Sequence, residues 1–194
     1  MAILGLTGGS GTGKSTVASL LVARGAGWVD ADAVYHTLCV SCEPMLAALV
    51  HEFGAVRRPN GALDRPALAR IVFSDPAALT RLGELTAPYI RRASQDALHA
   101  LSDRPIVLYD APTLFESGAD DLCDDVIGVL APYDVRVARI ILRDGLTEAA
   151  ARARIDAQPP DDFYRARCRY LIQNNDGLDA LRPLVDALYE QIIR

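Results

Sequence analysis

The stretch Gly8-Gly9-Ser10-Gly11-Thr12-Gly13-Lys14-Ser15-Thr16 follows directly on the apolar run Ala2-Ile3-Leu4-Gly5-Leu6. With Gly8, Gly13, Lys14 and Ser15 in place, it fits G-x-x-x-x-G-K-[ST], the phosphate-loop pattern. A polyphosphate carries several negative charges and needs many donors at short range. Glycines let the backbone curl so that successive N–H groups point inward. The helix that the sequence predicts next, Ser15 to Arg24, adds the positive end of its dipole. Gly11, Thr12, Gly13, Lys14, Ser15 and Thr16 are therefore the expected nucleotide-binding residues. Lys14 is expected at the β- and γ-phosphates and the Ser15 hydroxyl on Mg²⁺. Lys14 is also the one lysine of the chain, against 19 arginines. Arginine is too wide and planar to replace a point charge in a tight loop.

Working outward, five short apolar runs read as strands: 2–7, 28–30, 106–110, 126–131 and 170–173. Helical patterns separate them, so the fold class is α/β with a five-stranded, mostly parallel sheet. Trp28-Val29 runs into Asp30-Ala31-Asp32, and a right-handed crossover would return this strand parallel to the first. That puts Asp30 and Asp32 at the sheet edge where ligands bind in open α/β folds. One of the two can cap the next helix while the other does chemistry.

Residues 33–104 read as a helical insertion over the sheet edge, too long for a simple crossover and suited to gripping a second substrate. Within it, Pro44 to Phe53 forms a helix stopped by Gly54, and Asn60-Gly61 marks a turn or small hairpin. One helix starts at Asp64, another at Asp75-Pro76. Pro88 is expected to stop the latter, with a separate helix from Tyr89 to Leu101.

Asp110 ends the third strand, either as a Mg²⁺ partner or as an exit-turn residue. Leu114 and Phe115, just beyond, form either one wall for a base or ribose or plain core. Past the fourth strand, Arg136, Arg139 and Arg143 share one helix face, and a second helix adds Arg152 and Arg154. Such a stripe is either a solvated face or a lid, and the helix pair is bounded by Gly145 and Pro159-Pro160. Residues 135–167 are assigned to the lid. The core comprises 1–32, 105–134 and 168–194, and Gln173-Asn174-Asn175-Asp176-Gly177 offers amides to adenine.

A formal charge of −5 argues against nucleic acid or an acidic membrane as the main partner. No segment reaches the ~18 apolar residues of a membrane span, and no signal-peptide pattern opens the chain. Cys39-Val40-Ser41-Cys42 has C-x-x-C spacing but lacks a second pair and a strand-end context. His36, His51 and His99 are scattered without metal spacing. A reducing cytoplasm is the expected compartment, and a monomer or weak homo-oligomer the expected state.

Along nearly its whole length the chain resembles the bacterial dephospho-coenzyme A kinases. The likeness is carried by Leu6-Thr7-Gly8-Gly9, Asp30-Ala31-Asp32, Arg65…Leu68…Val72-Phe73 and Pro112-Thr113-Leu114-Phe115-Glu116. It continues through Arg139…Arg143-Asp144, Arg154-Ile155…Gln158 and Ile172…Asn175. The resemblance implies a P-loop kinase fold with a helical coenzyme-binding insertion and a lid. It implies ATP and dephospho-coenzyme A as substrates, Mg²⁺ as the metal, and coenzyme A as the product. By resemblance Asp32 is the general base on the ribose 3′-hydroxyl. Lys14 and a lid arginine, Arg143 with Arg139 nearby, stabilise the transferring phosphoryl group. Asn175 contacts ATP, and Leu114 and Phe115 contact the acceptor. The chain departs from the family pattern at Ala87, where a histidine is usual, and at Thr113, where a leucine is usual. The alternatives are another small-molecule kinase on the same fold or a regulatory P-loop ATPase. The latter would need a water-orienting glutamine near the γ-phosphate.

Overall fold

The computed structural model describes residues 1–193. The element order is β1 (Ala2–Thr7), α1 (Lys14–Ala23), β2 (Gly27–Asp30), α2 (Ala31–Ser41), α3 (Glu43–Phe53), α4 (Arg65–Val72) and α5 (Pro76–His99). Then follow β3 (Ile106–Asp110), β4 (Asp125–Leu130), α6 (Tyr133–Asp144), α7 (Glu148–Asp156), α8 (Asp161–Arg165), β5 (Tyr170–Gln173) and α9 (Leu178–Ile192). The five strands form one parallel sheet in the order β2-β3-β1-β4-β5. β1 lies in the middle, hydrogen-bonded to β3 with Ala2 opposite Ile106 and to β4 with Leu4 opposite Asp125.

The three central strands, β3, β1 and β4, are nearly continuous apolar runs because both faces are covered, whereas the edge strands expose Trp28 and Leu171. Val17, Ala18 and Leu21 of α1 and Leu181, Val185 and Leu188 of α9 share a core with Leu4, Leu6, Ile127 and Val129. Leu114 lies close over Gly5, where an added Cβ would come within 2.6 Å of its Cδ2. The missing side chain at Gly5 thus makes the space that Leu114 fills. From β1 the chain passes first to the β2-β3 side and later to the β4-β5 side. The carboxyl end of β1 is therefore the point where the connections diverge, where open α/β sheets bind ligands.

The chain divides into two compact units, Met1–Val29 with residues from Ala100 onward, and Asp30–His99. The second is helical and has its own core around Cys39, Met45, Leu46, Leu49, Val56, Leu63, Leu68 and Val72. In it Asp64 caps α4 by accepting from the Ala67 N–H, and Gly54 ends α3 with φ 75°. The Asn60-Gly61 turn closes a short hairpin in which Arg57 bridges to Leu63. A cavity of about 720 Å³ lies within this unit, lined by apolar side chains such as Leu68, Val72 and Phe73 and by Arg58 and Arg65.

One boundary is corrected. α5 does not stop before Pro88 but runs unbroken to His99. Pro88 forfeits its bond to the Glu84 carbonyl, and both residues are exposed, so water can take that carbonyl. On either side Leu82, Leu85 and Tyr89 pack on the same helical core. That shared packing holds the two halves in line against a proline penalty of about 3 kcal/mol. Among the described residues no single helix is long and apolar enough to cross a membrane. The four cysteines are free, and no cluster of metal-ligating side chains occurs among the described residues.

Candidate active site

The phosphate loop joins the end of β1 to α1. Gly13 is the N-cap of that helix, in the left-handed conformation at φ 92°. A Cβ there would strike the Asn174 amide, so the position requires glycine on two counts. Thr12 folds back, its hydroxyl donating to the Gly9 carbonyl at 2.8 Å. Among the described residues the backbone N–H groups of Gly11, Gly13, Lys14 and Ser15 have no acceptor on the protein. The first turn of α1 carries no acidic residue. Four free amides at an unneutralised helix N-terminus make an anion cradle.

Charged side chains surround it. Lys14 forms an ion pair with Asp110, which ends β3 and is 4% exposed. From α6, Arg139 reaches the Gly11 and Thr12 carbonyls at 3.4 Å and the Asn174 Oδ1 at 3.3 Å. Asn174 follows β5, is buried, and donates its Nδ2 to the Thr12 carbonyl at 2.8 Å. Arg136, one turn earlier on α6 and 5% exposed, donates its Nε to the Ser10 carbonyl at 2.9 Å. Its Nη2 bonds Gln158 Oε1 at 3.2 Å, and its Nη1 lies 3.6 Å from Asp161. Three cations against two carboxylates, plus the helix dipole, leave the cradle electropositive.

Residues 2–180 match the family model described as dephospho-CoA kinase. The chain is 46% identical over 191 residues to a dephospho-CoA kinase of Anaeromyxobacter dehalogenans, covering 97% of this chain and 90% of that protein. The chain belongs to the dephospho-CoA kinase family. Among solved structures it is similar to TT1252 from Thermus thermophilus, at 36% identity and a TM-score of 0.81, covering 98% of this chain and 97% of that one. It is also similar to the dephospho-CoA kinase of Campylobacter jejuni, at 25% identity and a TM-score of 0.74, covering 98% and 96%. The family is one of ATP-dependent kinases on a P-loop fold, and its activity is the last step of coenzyme A synthesis.

Within this dephospho-CoA kinase family member, the two aspartates after β2 divide their work. Asp30 is the cap of α2, its Oδ1 accepting from the Asp32 N–H at 2.9 Å and the Ala33 N–H at 3.3 Å. Asp32, in the first turn, is exposed, and its carboxylate has no partner among the described residues. Arg143, at the far end of α6, is not at the loop. It forms a two-bond pair with Asp144, at 2.7 and 2.8 Å, and its side chain is 62% exposed. Arg154 joins the same carboxylate at 2.5 Å. Between the two guanidinium groups, with Arg143 the stronger hydrogen-bonding partner, the Asp144 carboxyl is held down to about 2.

Ser15 and Thr16 are exposed in the first turn of α1. Asn175 is exposed, and its neighbour Asn174 is the amide that meets the loop. Leu114 is corrected: it is fully buried over Gly5, so it packs the core and offers no wall to a substrate. Phe115 stays half-buried, edge-on to Phe163 at 5.7 Å. Sequence reasoning assigned none of Arg136, Gln158 and Asn174 to the loop. Gln158 stood in the resemblance, and Asn174 beside the amide that was chosen.

Proposed function

We propose that this chain transfers the γ-phosphate of ATP to the 3′-hydroxyl of the dephospho-coenzyme A ribose, giving coenzyme A. Family membership points to the reaction, and the four free loop amides above Lys14 supply the observation in the molecule that supports it. These amides fit the oxygens of a polyphosphate. The ion pair of Lys14 with Asp110 fits a lysine that exchanges its carboxylate for phosphate when ATP arrives.

Mg²⁺ fits the oxygen donors present, the exposed Ser15 hydroxyl and the Asp110 carboxylate at the strand end. Bound there, the ion would neutralise charge on the phosphate oxygens. Asp32 is the proposed base: its unpartnered carboxylate is able to receive the proton of the attacking hydroxyl. Its neighbour Asp30 already serves as the cap and leaves it free. Arg143 is the proposed lid arginine, and Arg139 bonds to the loop carbonyls. The reaction is mainly positioning and charge neutralisation, the work this constellation suits. In the helical unit, the 720 Å³ cavity with Arg58 and Arg65 at its wall supports a large anionic second substrate. Phe115 is proposed to contact the acceptor and Asn175 the ATP base. The proposed compartment is the cytoplasm, and the proposed state is a monomer or weak homo-oligomer with small-molecule partners only.

The test is ADP formation from ATP and Mg²⁺, with dephospho-coenzyme A beside a panel of nucleoside monophosphates. Release that depends on dephospho-coenzyme A supports the proposal. The same slow release with and without any acceptor would point to a regulatory ATPase instead.

A further inference from the structure

All three polar groups of Ser10 are taken by side chains from α6 and from Gln158, just beyond α7. Its N–H donates to Gln158 Oε1 at 2.8 Å, its carbonyl accepts from Arg136 Nε at 2.9 Å, and its hydroxyl accepts from Gln158 Nε2 at 3.2 Å. Gln158 Oε1 also accepts from Arg136 Nη2, and Arg136 in turn faces Asp161 at the start of α8. The glutamine is itself fixed, since its N–H donates to the Ile155 carbonyl at 3.0 Å and Pro159-Pro160 follow it. The clamp draws α6 close to the loop. A Cβ on Gly11 would come within 2.7 Å of the Arg136 carbonyl, and one on Gly9 would strike its guanidinium.

We infer that Gln158 is a positioning residue for the nucleotide β-phosphate. The amides of Ser10, Gly11, Gly13, Lys14 and Ser15 are treated differently by the fold. Gln158 engages the Ser10 N–H at 2.8 Å and so withholds it from the cradle. The other four are left free of any protein acceptor. The amide side chain meets both demands at once, its oxygen accepting from the Ser10 N–H and Arg136 while its nitrogen donates to the Ser10 hydroxyl. With the clamp released, the loop must be curled at the moment of binding, and the ordering entropy falls on the nucleotide. A residue acting this way affects ligands in proportion to the phosphates they place in the loop.

The inference rests on the nucleotide site of the proposed function but not on the identity of the acceptor. Gln158→Met keeps length and volume while removing all three hydrogen bonds. Calorimetric titration with ADP and with AMP, without any acceptor, is expected to show ADP binding weakened about tenfold, the effect of losing charge-assisted and neutral hydrogen bonds. AMP binding is expected within twofold of the parent. In turnover, KM for ATP rises about as much, while kcat and KM for dephospho-coenzyme A stay within about threefold. Gln158→Glu keeps the acceptor for Ser10 and Arg136 and is expected to recover most of the ADP affinity. Should Gln158→Met fail to fold, Gln158→Ala carries the same comparison. ADP affinity unchanged in the variant would overturn the inference. So would a parallel loss of ADP, AMP and acceptor binding together with Tm, and so would a Gln158→Glu no better than Gln158→Met. A failure of dephospho-coenzyme A to accept phosphate would leave the ADP result standing, so the two ideas fail separately.

Discussion

The two ends of α6 present the same residue type to opposite circumstances. Arg136 and Arg139, nearer its start, bond to the carbonyls of Ser10, Gly11 and Thr12, and Arg136 is 5% exposed. Arg143, one turn beyond Arg139, sits in water against Asp144 and shares it with Arg154. A guanidinium that already satisfies backbone carbonyls builds the loop and is not free to follow charge onto a transferring phosphoryl group. One held by an exposed carboxylate can be traded at little cost, because exposed ion pairs contribute about 0–1 kcal/mol. On the proposed reading, the difference separates arginines that shape the loop from the arginine proposed to act on the phosphoryl group.

The largest effect expected is at Lys14, whose loss removes the charge at the centre of the cradle. Lys14→Ala should lower kcat/KM for ATP by about 10³-fold or more, read in the acceptor-dependent ADP assay. Arg143→Ala sharpens the comparison directly. It should lower kcat by roughly 10³-fold while Tm stays within about 1 °C of the parent, since the pair it breaks is exposed. A variant that melts early yet turns over normally would reverse the assignment of the two ends. Asp32→Asn should lower kcat by about 10²-fold or more with ATP binding intact, and near-normal turnover would demote it to a bystander of the Asp30 cap.

Asn174→Ala lies on the building side of the comparison. It frees the Thr12 carbonyl and one partner of Arg139, and urea unfolding should show a loss of about 1–3 kcal/mol. The smallest effect is electrostatic. The Asp144 carboxyl, lowered from 3.8 to about 2 chiefly by its hydrogen bonds from Arg143, is charged in the folded chain where it would already be neutral in the unfolded one. Its contribution is complete above about pH 4 and is lost as the pH falls through about 2. A carbon-detected NMR titration should place the Asp144 midpoint near 2, and a midpoint near 3.8 would mean that neither Arg143 nor Arg154 is paired with it.

The sheet was legible because its three central strands are short, largely apolar runs, a pattern imposed by burial on both faces. The loop was legible because its chemistry fixes residue types at fixed spacing. α5 was misread at Pro88 because the penalty of a proline is local, while the packing that outweighs it comes from residues distant in the chain. The arginine stripe was visible as a stripe, but periodicity reports a shared face and says nothing about which end of it meets the loop. The contacts of Ser10 with Arg136 and Gln158 span 126 and 148 residues. The choice between Asn174 and Asn175 turns on a single step of backbone direction after β5. Leu114 was open between core and substrate wall until the space above Gly5 was known.

The most direct measurement is ³¹P NMR of the product formed from ATP, Mg²⁺ and dephospho-coenzyme A by the purified chain. A new phosphomonoester signal on the ribose 3′-oxygen, growing in step with ADP, is the predicted result. Inorganic phosphate growing in step with ADP, with dephospho-coenzyme A unchanged, would contradict it.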